Sequence, residues 1–247
     1  MSPPLFLLAE LPAGDHAVLD GREGRHAATV KRLRPGEAVL LGDGCGALAS
    51  AIVATVGRDV VELALTERSV VPAPSPGVVV AQALVKGDRG ELAVELATEA
   101  GVDALIPWTA ARCVARWAGD KGLARWQRTA REAAKQARRA WVPPVAAPVT
   151  TRELAAGVAA ADCALVLHEA ATTALAEVAL PAAGEVLLVV GPEGGITDDE
   201  LGLLTAAGAQ AVRLGPEVLR ASTAAAVALG ALGALTGRWA VPRTSAG

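Results

Sequence analysis

The sequence of 247 residues is poor in the residues that build disulfide scaffolds and metal sites. Its three cysteines, Cys45, Cys113 and Cys163, lie far apart and form no Cys-x-x-Cys pair. A disulfide framework or a zinc ribbon is therefore not expected. The three histidines do not cluster with the cysteines either, so no metal site is predicted.

Long uninterrupted apolar segments are also missing. The longest, residues 222–236, is interrupted by small residues and is shorter than the roughly 20 residues that span a bilayer, so it predicts a buried helix. The first 15 residues have no basic segment and carry prolines and acidic residues early, which does not fit a signal peptide. No membrane segment is therefore expected, and the scattered cysteines predict a cytoplasmic protein.

Hydrophobic residues make up 52% of the chain and charged residues 20%, which is enough for a packed core and excludes a disordered chain. The formal net charge is −3, but the basic residues are concentrated in two segments. Residues 112–139 contain nine Arg or Lys against two acidic residues, and residues 22–34 contain five against one. Such patches fit a localised polyanion site as well as they fit two solvated helix faces.

The chain changes its pattern near residue 77. Residues 5–69 contain short apolar runs bounded by turn residues, with one short helix at 22–33, and predict a β-rich unit. Three prolines within residues 71–77 predict a stiff linker. We place a first domain at 1–71, a linker at 72–77 and a second domain at 78–247.

The second domain alternates strands with helices. Apolar strands are predicted at 78–85, 104–107, 164–168, 185–190 and 211–214, and helices at 88–100, 123–140, 197–207 and 222–235. The helix near 197 begins with the T-x-x-E pattern of a capping box. Because the strands are apolar throughout and helices separate them, we expect an α/β fold with a parallel sheet covered on both faces.

Three of the predicted strands end in segments that suit a ligand site. These are His168-Glu169, the GPEGG turn (residues 191–195) and GPEVLRAST (residues 215–223). Ligands of open parallel sheets bind beyond the carboxyl ends of the strands. One such turn alone would indicate only a tight connection, but three together favour a ligand site. The GPEGG turn lacks the G-x-G-x-x-G spacing of a dinucleotide fold.

The GPEGG turn, followed by Leu214-Gly215-Pro216 and Val218-Leu219-Arg220, resembles the RsmE family of methyltransferases. The resemblance spans nearly the whole chain. It includes KGDR at 86–89, Thr98-Glu99, Gly101-Val102, Gln136 with Arg139, Val142-Pro143, and His26 with KRL at 31–33. The sequence departs from the family at Glu95, where Lys is frequent, at Ser222, where Glu is frequent, and at Gly90, where Met is frequent nearby.

The resemblance implies a SPOUT-class enzyme that methylates uridine N3 in the 16S rRNA of the small ribosomal subunit. It implies a small β-barrel domain like the PUA RNA-binding fold and a C-terminal parallel-sheet domain with a trefoil knot. It also implies a homodimer and S-adenosylmethionine as cofactor. The residues implied for cofactor binding are Leu167, His168, Gly191, Pro192, Glu193, Gly195, Leu214, Gly215, Leu219, Arg220 and Thr223.

Methylation at uridine N3 requires removal of a proton, and the resulting negative charge spreads onto the uracil oxygens. The site therefore needs a base and hydrogen-bond donors. Arg220 is the candidate donor because its guanidinium stays charged and planar, although it could instead bind the backbone at the start of a helix. Glu193 is a candidate base, but a carboxylate in this position could equally order the turn. His168 is expected to pack beside the cofactor.

The predicted helix at 123–140 carries basic residues at three- and four-residue spacing, which places them along one face. Such a stripe would position RNA through its phosphates. Its members are Arg125, Arg128, Arg131, Lys135 and Arg138. The residues predicted to bind RNA are His26, Arg32, Arg125, Arg128 and Arg139.

Two alternatives to the N3-uridine enzyme stay open. One is a related knotted methyltransferase with another RNA target, such as a ribose 2′-hydroxyl. The other is a ribosome-assembly factor that binds RNA without catalysis.

Overall fold

The computed structural model describes residues 3–117 and 119–240. The chain forms two compact units, one of Met1–Ala73 with Ala134–Val142 and one of Pro74–Ala133 with Pro143–Gly247. The predicted domains at 1–71 and 78–247 include residues 1–2, 118 and 241–247, which lie outside the described residues.

The first unit is built on a five-stranded sheet in the order β1-β3-β4-β5-β2. Strand β1 pairs with β3 in parallel and the other pairs are antiparallel. Two register shifts between β4 and β5 bend the sheet around a core that includes Phe6, Leu41 and Leu63. The strands are β1 (Leu5–Leu7), β2 (His16–Leu19), β3 (Ala38–Gly42), β4 (Ala47–Val56) and β5 (Val61–Val70). The predicted helix at 22–33 is a short helix, α1 (Gly21–Arg25), followed by a π-helical turn (His26–Val30).

The second unit contains a six-stranded sheet in the order β11-β9-β10-β6-β7-β8, and all of its strand pairs are parallel. The central strands are buried because helices cover both faces; Val80, Leu165 and Leu188 are fully inaccessible. The expected parallel α/β sheet is thus confirmed. The strands are β6 (Gly77–Ala83), β7 (Ala104–Thr109), β8 (Val149–Thr150), β9 (Cys163–Leu167), β10 (Glu185–Val190) and β11 (Gln210–Val212).

In the described part of this unit, five helices follow the strands of the sheet, and two of them differ from the prediction. Helix α3 ends at Gln136 rather than near 140, where Arg138 adopts a φ of 53° that no α-helix accommodates. Strand β8 and helix α4 were not predicted, although Thr150 and Glu153 form a capping box at the start of α4. The helices are α2 (Arg89–Glu99), α3 (Lys121–Gln136), α4 (Thr151–Ala160), α5 (Asp198–Ala206) and α6 (Ala221–Leu235), and 3₁₀ turns lie at Leu175–Glu177 and Gly237–Trp239. Among the described residues, no helix has both the length and the hydropathy needed to cross a membrane.

Candidate functional site

The three predicted strand ends meet around one cavity of about 620 Å³ in the second unit. They meet because β11, β9 and β10 are neighbours in the sheet and parallel strands end at the same edge. This volume lies within the usual range for a small-molecule site. The predicted residues that line the cavity are Leu167, His168, Gly191, Pro192, Glu193, Gly195, Leu214, Gly215, Leu219 and Arg220. Thr223 is not among the lining residues; its hydroxyl donates to the Arg220 carbonyl oxygen at 3.1 Å.

The cavity combines an apolar floor with a charged rim. Val212, Leu167 and Val190 are paired in register across three neighbouring strands, so they project from the same face of the sheet. The rim carries both signs of charge, which suits a ligand with an apolar ring and charged groups. Its charged members are Arg112, Glu169, Glu193, Asp198, Arg213, Glu217 and Arg220.

The GPEGG turn requires glycine at two positions for different reasons. Gly195 has a φ of 76°, in the left-handed region, and its N–H donates to the Pro192 carbonyl oxygen at 2.9 Å to close the turn. A Cβ atom at Gly191 would lie 2.7 Å from Cγ1 of Ile196, which is too close. At these two glycines the turn therefore presents its main chain to the cavity, beside the side chain of Glu193.

Helix α5 begins at Asp198, shortly after the turn, and its N-cap Thr197 forms the predicted capping box with Glu200, which is confirmed. The Glu200 N–H donates to the Thr197 hydroxyl at 3.2 Å, and the Thr197 N–H and hydroxyl donate to Oε2 of Glu200 at 3.2 and 3.1 Å. The other oxygen of the buried Glu200 carboxylate accepts hydrogen bonds from the Ala111 N–H and the Thr151 hydroxyl, both at 2.8 Å. Burial raises the pKa of Glu200, but these hydrogen bonds outweigh it and hold that pKa below its usual value.

His168 is held at the end of β9 by two hydrogen bonds. Its backbone N–H donates to the Val212 carbonyl oxygen at 3.0 Å, and Nδ1 of its ring accepts a hydrogen bond from the Ala170 backbone N–H at 3.3 Å. The proton of the neutral imidazole is therefore assigned to Nε2. This arrangement fits a fixed wall residue better than a proton acceptor.

Glu193 lies at the rim of the cavity, where its Oε1 is 3.9 Å from Nη1 of Arg89. Both side chains are substantially exposed, at 37% and 50%, so this ion pair constrains the carboxylate only weakly. The carboxylate stays accessible to a ligand in the cavity.

Arg220 occupies the N-cap position of α6 with an extended backbone. Its carbonyl oxygen accepts hydrogen bonds from the N–H groups of Thr223 and Ala224, at 2.9 and 3.0 Å. Its side chain makes no cap hydrogen bond. The exposed guanidinium has no hydrogen-bond partner within residues 3–117 and 119–240, so its donors are available to a ligand.

A fourth strand end also reaches the cavity, and sequence reasoning missed it. The segment after β7 carries Arg112 into the lining, where Nη1 donates to the Gly194 carbonyl oxygen at 3.0 Å. The sequence contains no Gly-rich signal here, and Arg112 stood out only as one of several basic residues. Its position just beyond the carboxyl end of β7 is the signal that could have indicated it.

The predicted RNA-binding stripe on α3 is shorter than expected. Arg125 and Arg128 are exposed, and Nε of Arg125 lies 3.3 Å from Oε1 of Glu91. Lys135 is instead buried, with its Nζ 2.8 Å from Oε1 of Glu23, and Arg138 follows the end of the helix. The stripe prediction is therefore wrong for Lys135 and Arg138.

The remaining residues predicted to bind RNA lie in the first unit. Arg32 is exposed, and its φ of 54° places it in the left-handed region. His26 is half-buried, and its ring packs edge-on against Phe6 with the ring centroids 6.0 Å apart. Arg139 is also half-buried. Arg32 is thus the most accessible of the three.

The positions that depart from the resembled family have different environments. A Cβ atom at Gly90 would lie 3.2 Å from Nε1 of the buried Trp126, so the tryptophan occupies the space that a larger residue at position 90 would need. Glu95 is exposed on α2, and Ser222 is buried in the first turn of α6. Within the described part of the chain, no group of three His, Cys, Asp or Glu side chains could hold a metal ion.

Two family models match the chain. A model described as an RNA methyltransferase domain matches residues 72–233, and one described as an RNA methyltransferase PUA domain matches residues 19–65. Over 243 residues the chain is 55% identical to the ribosomal RNA small subunit methyltransferase E of Mycobacterium bovis, covering 95% of this chain and 93% of that protein.

Solved structures agree with these matches. The ribosomal RNA small subunit methyltransferase E of Neisseria gonorrhoeae, bound to S-adenosylmethionine, superposes with a TM-score of 0.86 and 30% identity, covering 95% of this chain and 98% of that one. A Legionella pneumophila protein in complex with the same cofactor gives a TM-score of 0.85 and 28% identity, covering 96% and 99%.

Proposed function

This chain belongs to the RsmE family of RNA methyltransferases, and we therefore propose that it transfers a methyl group from S-adenosylmethionine to the 16S rRNA of the small ribosomal subunit. The observation that carries the proposal is the convergence of the loops after β9, β10 and β11 on one cavity of about 620 Å³. The Neisseria gonorrhoeae relative, whose fold is the same, was crystallised with this cofactor.

The residues around the cavity fit S-adenosylmethionine. The apolar floor of Leu167, Val190 and Val212 suits the adenine ring, and the exposed main chain of the GPEGG turn suits its polar edge. The acidic rim residues, among them Glu169 and Glu193, suit the positive charges of the cofactor. When bound, the cofactor supplies an electrophilic methyl group on a positively charged sulfur.

We propose uridine N3 as the methyl acceptor, which is the chemistry that the family resemblance implies. The N3 proton must leave before the nitrogen can accept a methyl group, and negative charge then develops on the uracil oxygens. Arg220 is the candidate for stabilising that charge, which is supported by a guanidinium that reaches the cavity without a protein partner among the described residues. Glu193 is the candidate proton acceptor, since its exposed carboxylate lies at the same rim.

Family membership supports three further proposals about the whole protein. We propose that the C-terminal part of the second unit forms a trefoil knot, that the protein acts as a homodimer, and that it works in the cytoplasm, where it meets its rRNA. The first unit matches the PUA model and would contribute to RNA binding.

The test combines a deletion strain with the purified protein. Nucleoside mass spectrometry of 16S rRNA from the deletion strain is expected to show the loss of N3-methyluridine, and purified protein with S-adenosylmethionine should restore it. An unchanged amount of N3-methyluridine in the 16S rRNA of the deletion strain would refute the proposal. Loss of a 2′-O-methylated nucleoside instead would identify a related enzyme with a ribose target. Cofactor binding in a calorimeter separates both enzymes from an RNA-binding factor without catalysis.

A further inference from the structure

Arg112 contacts the GPEGG turn from outside the three loops that form most of the cavity. Its Nη1 donates to the Gly194 carbonyl oxygen at 3.0 Å. The stem of the same side chain packs against the turn, because a Cβ atom built on Gly194 would lie 3.1 Å from the Arg112 Cβ. The contact therefore combines a charged hydrogen bond with close packing on a residue that has no side chain of its own.

The backbone next to Arg112 is held by a second, buried contact. The Ala111 N–H donates to Oε1 of Glu200 at 2.8 Å, and Glu200 is only 7% exposed. The other oxygen of Glu200 belongs to the capping box with Thr197, two residues beyond the turn. Arg112 thus contacts the first residue of the segment from Gly194 to Glu200, and Ala111 contacts the last.

We propose that Arg112 is a positioning residue that fixes the GPEGG turn in the shape that binds S-adenosylmethionine. This inference rests on the proposed function. A turn with three glycines has many accessible backbone conformations, and ordering it during binding costs free energy. A contact that orders the turn in advance raises the affinity for the cofactor without touching the reacting atoms.

Arg116 offers a matched control in the same segment. It is also an exposed arginine, but its Nη1 donates to the Cys113 and Ala115 carbonyl oxygens, at 2.7 and 3.2 Å. It is not among the residues that line the cavity. Its replacement removes the same charge from the same segment and leaves the GPEGG turn untouched.

The experiment measures S-adenosylmethionine affinity by calorimetry for the wild-type chain, Arg112→Met, Arg112→Lys and Arg116→Met. Methionine keeps an apolar stem but loses the donor, so we expect the Kd of Arg112→Met to rise roughly tenfold, the effect typical of one lost charged hydrogen bond. Lysine keeps a donor without the guanidinium geometry, so the Kd of Arg112→Lys should lie between those of the wild type and Arg112→Met. Arg116→Met should bind as the wild type does.

Single-turnover methylation with saturating cofactor separates positioning from catalysis. At saturation the Arg112→Met rate should return to within about twofold of the wild type, because only ground-state binding has been weakened. An unchanged Kd would overturn the inference. A reduced rate at saturation with an unchanged Kd would overturn it too, since Arg112 would then act on the RNA or the reacting groups. If the wild-type chain does not bind S-adenosylmethionine, the proposed function fails instead.

Discussion

Two arginines at the rim of the same cavity differ in what their guanidinium groups contact. Arg112 is bonded to the Gly194 carbonyl oxygen, whereas Arg220 has no hydrogen-bond partner in the described part of the chain. A donor already engaged by the protein shapes the site, and an unengaged donor can bind charge that appears during the reaction. We therefore expect the two residues to affect different kinetic quantities.

Replacement of Arg220 should slow methyl transfer far more than it weakens binding. Negative charge on the uracil oxygens is fully developed only near the transition state, and one well-placed donor is typically worth about 10²–10³ in rate. Arg220→Lys should restore little, because a point charge does not reproduce the planar pair of donors. The measurement is single-turnover methylation with both substrates saturating. A near wild-type rate for Arg220→Ala under these conditions would show that Arg220 only binds substrate.

Replacement of Gly195 should abolish cofactor binding without unfolding the protein. Its φ of 76° is strained for a β-branched residue, so Gly195→Val should distort the turn locally. The control is Gly202→Ala in α5, where an added Cβ meets no atom within 4 Å. Calorimetry with S-adenosylmethionine, alongside circular dichroism, checks both variants. Unchanged affinity in Gly195→Val would contradict a role for the turn in binding.

Among the helices and strands of the second unit, Glu200 joins three separate segments. Its carboxylate caps α5 through Thr197, holds the segment after β7 through Ala111 and binds Thr151 at the start of α4. Hydrogen bonds donated to the carboxylate favour its ionised form over the protonated one, and protonation weakens them. Glu200 therefore links the conformation of the cavity wall to pH.

The stability contribution of Glu200 should disappear in acid. Its pKa is lower in the folded than in the unfolded chain, so the contribution is complete above the unfolded value of about 4.3 and is lost as pH falls through the folded value. Glu200→Gln should lower the free energy of unfolding by about 1–3 kcal/mol at pH 7. Urea unfolding of both proteins from pH 7 to pH 3 is the measurement. If the difference in free energy of unfolding between the two proteins does not become smaller as the pH falls, the role assigned to Glu200 is contradicted.

Helix α3 separates an apolar face from an exposed basic face. Trp126, Ala130 and Ala134 are buried, and Arg125 and Arg128 are exposed. The burial of Lys135 removes one cation from the surface that could contact phosphates. The basic surface of α3 is therefore centred on its first half.

Arg128→Ala should weaken rRNA binding and make it less sensitive to salt. Each lost phosphate contact should reduce the slope of log affinity against log salt by roughly 0.7–0.9. Cofactor affinity should not change. Arg152→Ala, which removes an exposed arginine from α4, is the matched control and should leave the slope unaltered. A slope equal to that of the wild type in Arg128→Ala would mean that this face is only solvated.

For the assembly of the protein, the outer face of α6 is the relevant feature. Val227 and Leu235 are each 48% exposed and lie on one side of the helix with small uncharged residues between them. An uncharged face with small residues allows a second helix to approach closely. We propose this face as part of a twofold-symmetric dimer interface.

Light scattering of the wild-type chain at micromolar concentration should therefore give the mass of a dimer. Val227→Asp should dissociate it, because an unpaired carboxylate would be buried in the interface. Leu203→Asp is the control, since Leu203 is similarly exposed, at 43%, but lies on α5. A monomeric wild-type protein with full methylation activity would contradict the dimer.

The pattern of apolar residues was sufficient to predict the type of the second sheet and the edge at which its cavity lies. Fully apolar strands separated by helices require a parallel sheet, and a parallel sheet brings the ends of neighbouring strands to one edge. The loops at His168, Gly191 and Leu214 could therefore be assigned to one edge of the sheet from the amino-acid sequence, and the strand order then brings them to one cavity. The capping box of Thr197 and Glu200 could also be predicted from the sequence, because its two residues are only three positions apart.

The distant residues that complete the site depend instead on how the chain packs. Arg112 reaches Gly194 across 82 residues because β6 and β7 follow β10 in the sheet, an order that no local periodicity encodes. Lys135 is buried because it meets Glu23, 112 residues away, although its spacing on α3 matches that of the exposed arginines. The periodicity of a helix or strand determines the face on which a side chain lies. The residues that pack against that face depend on the order of the strands and the packing of the chain.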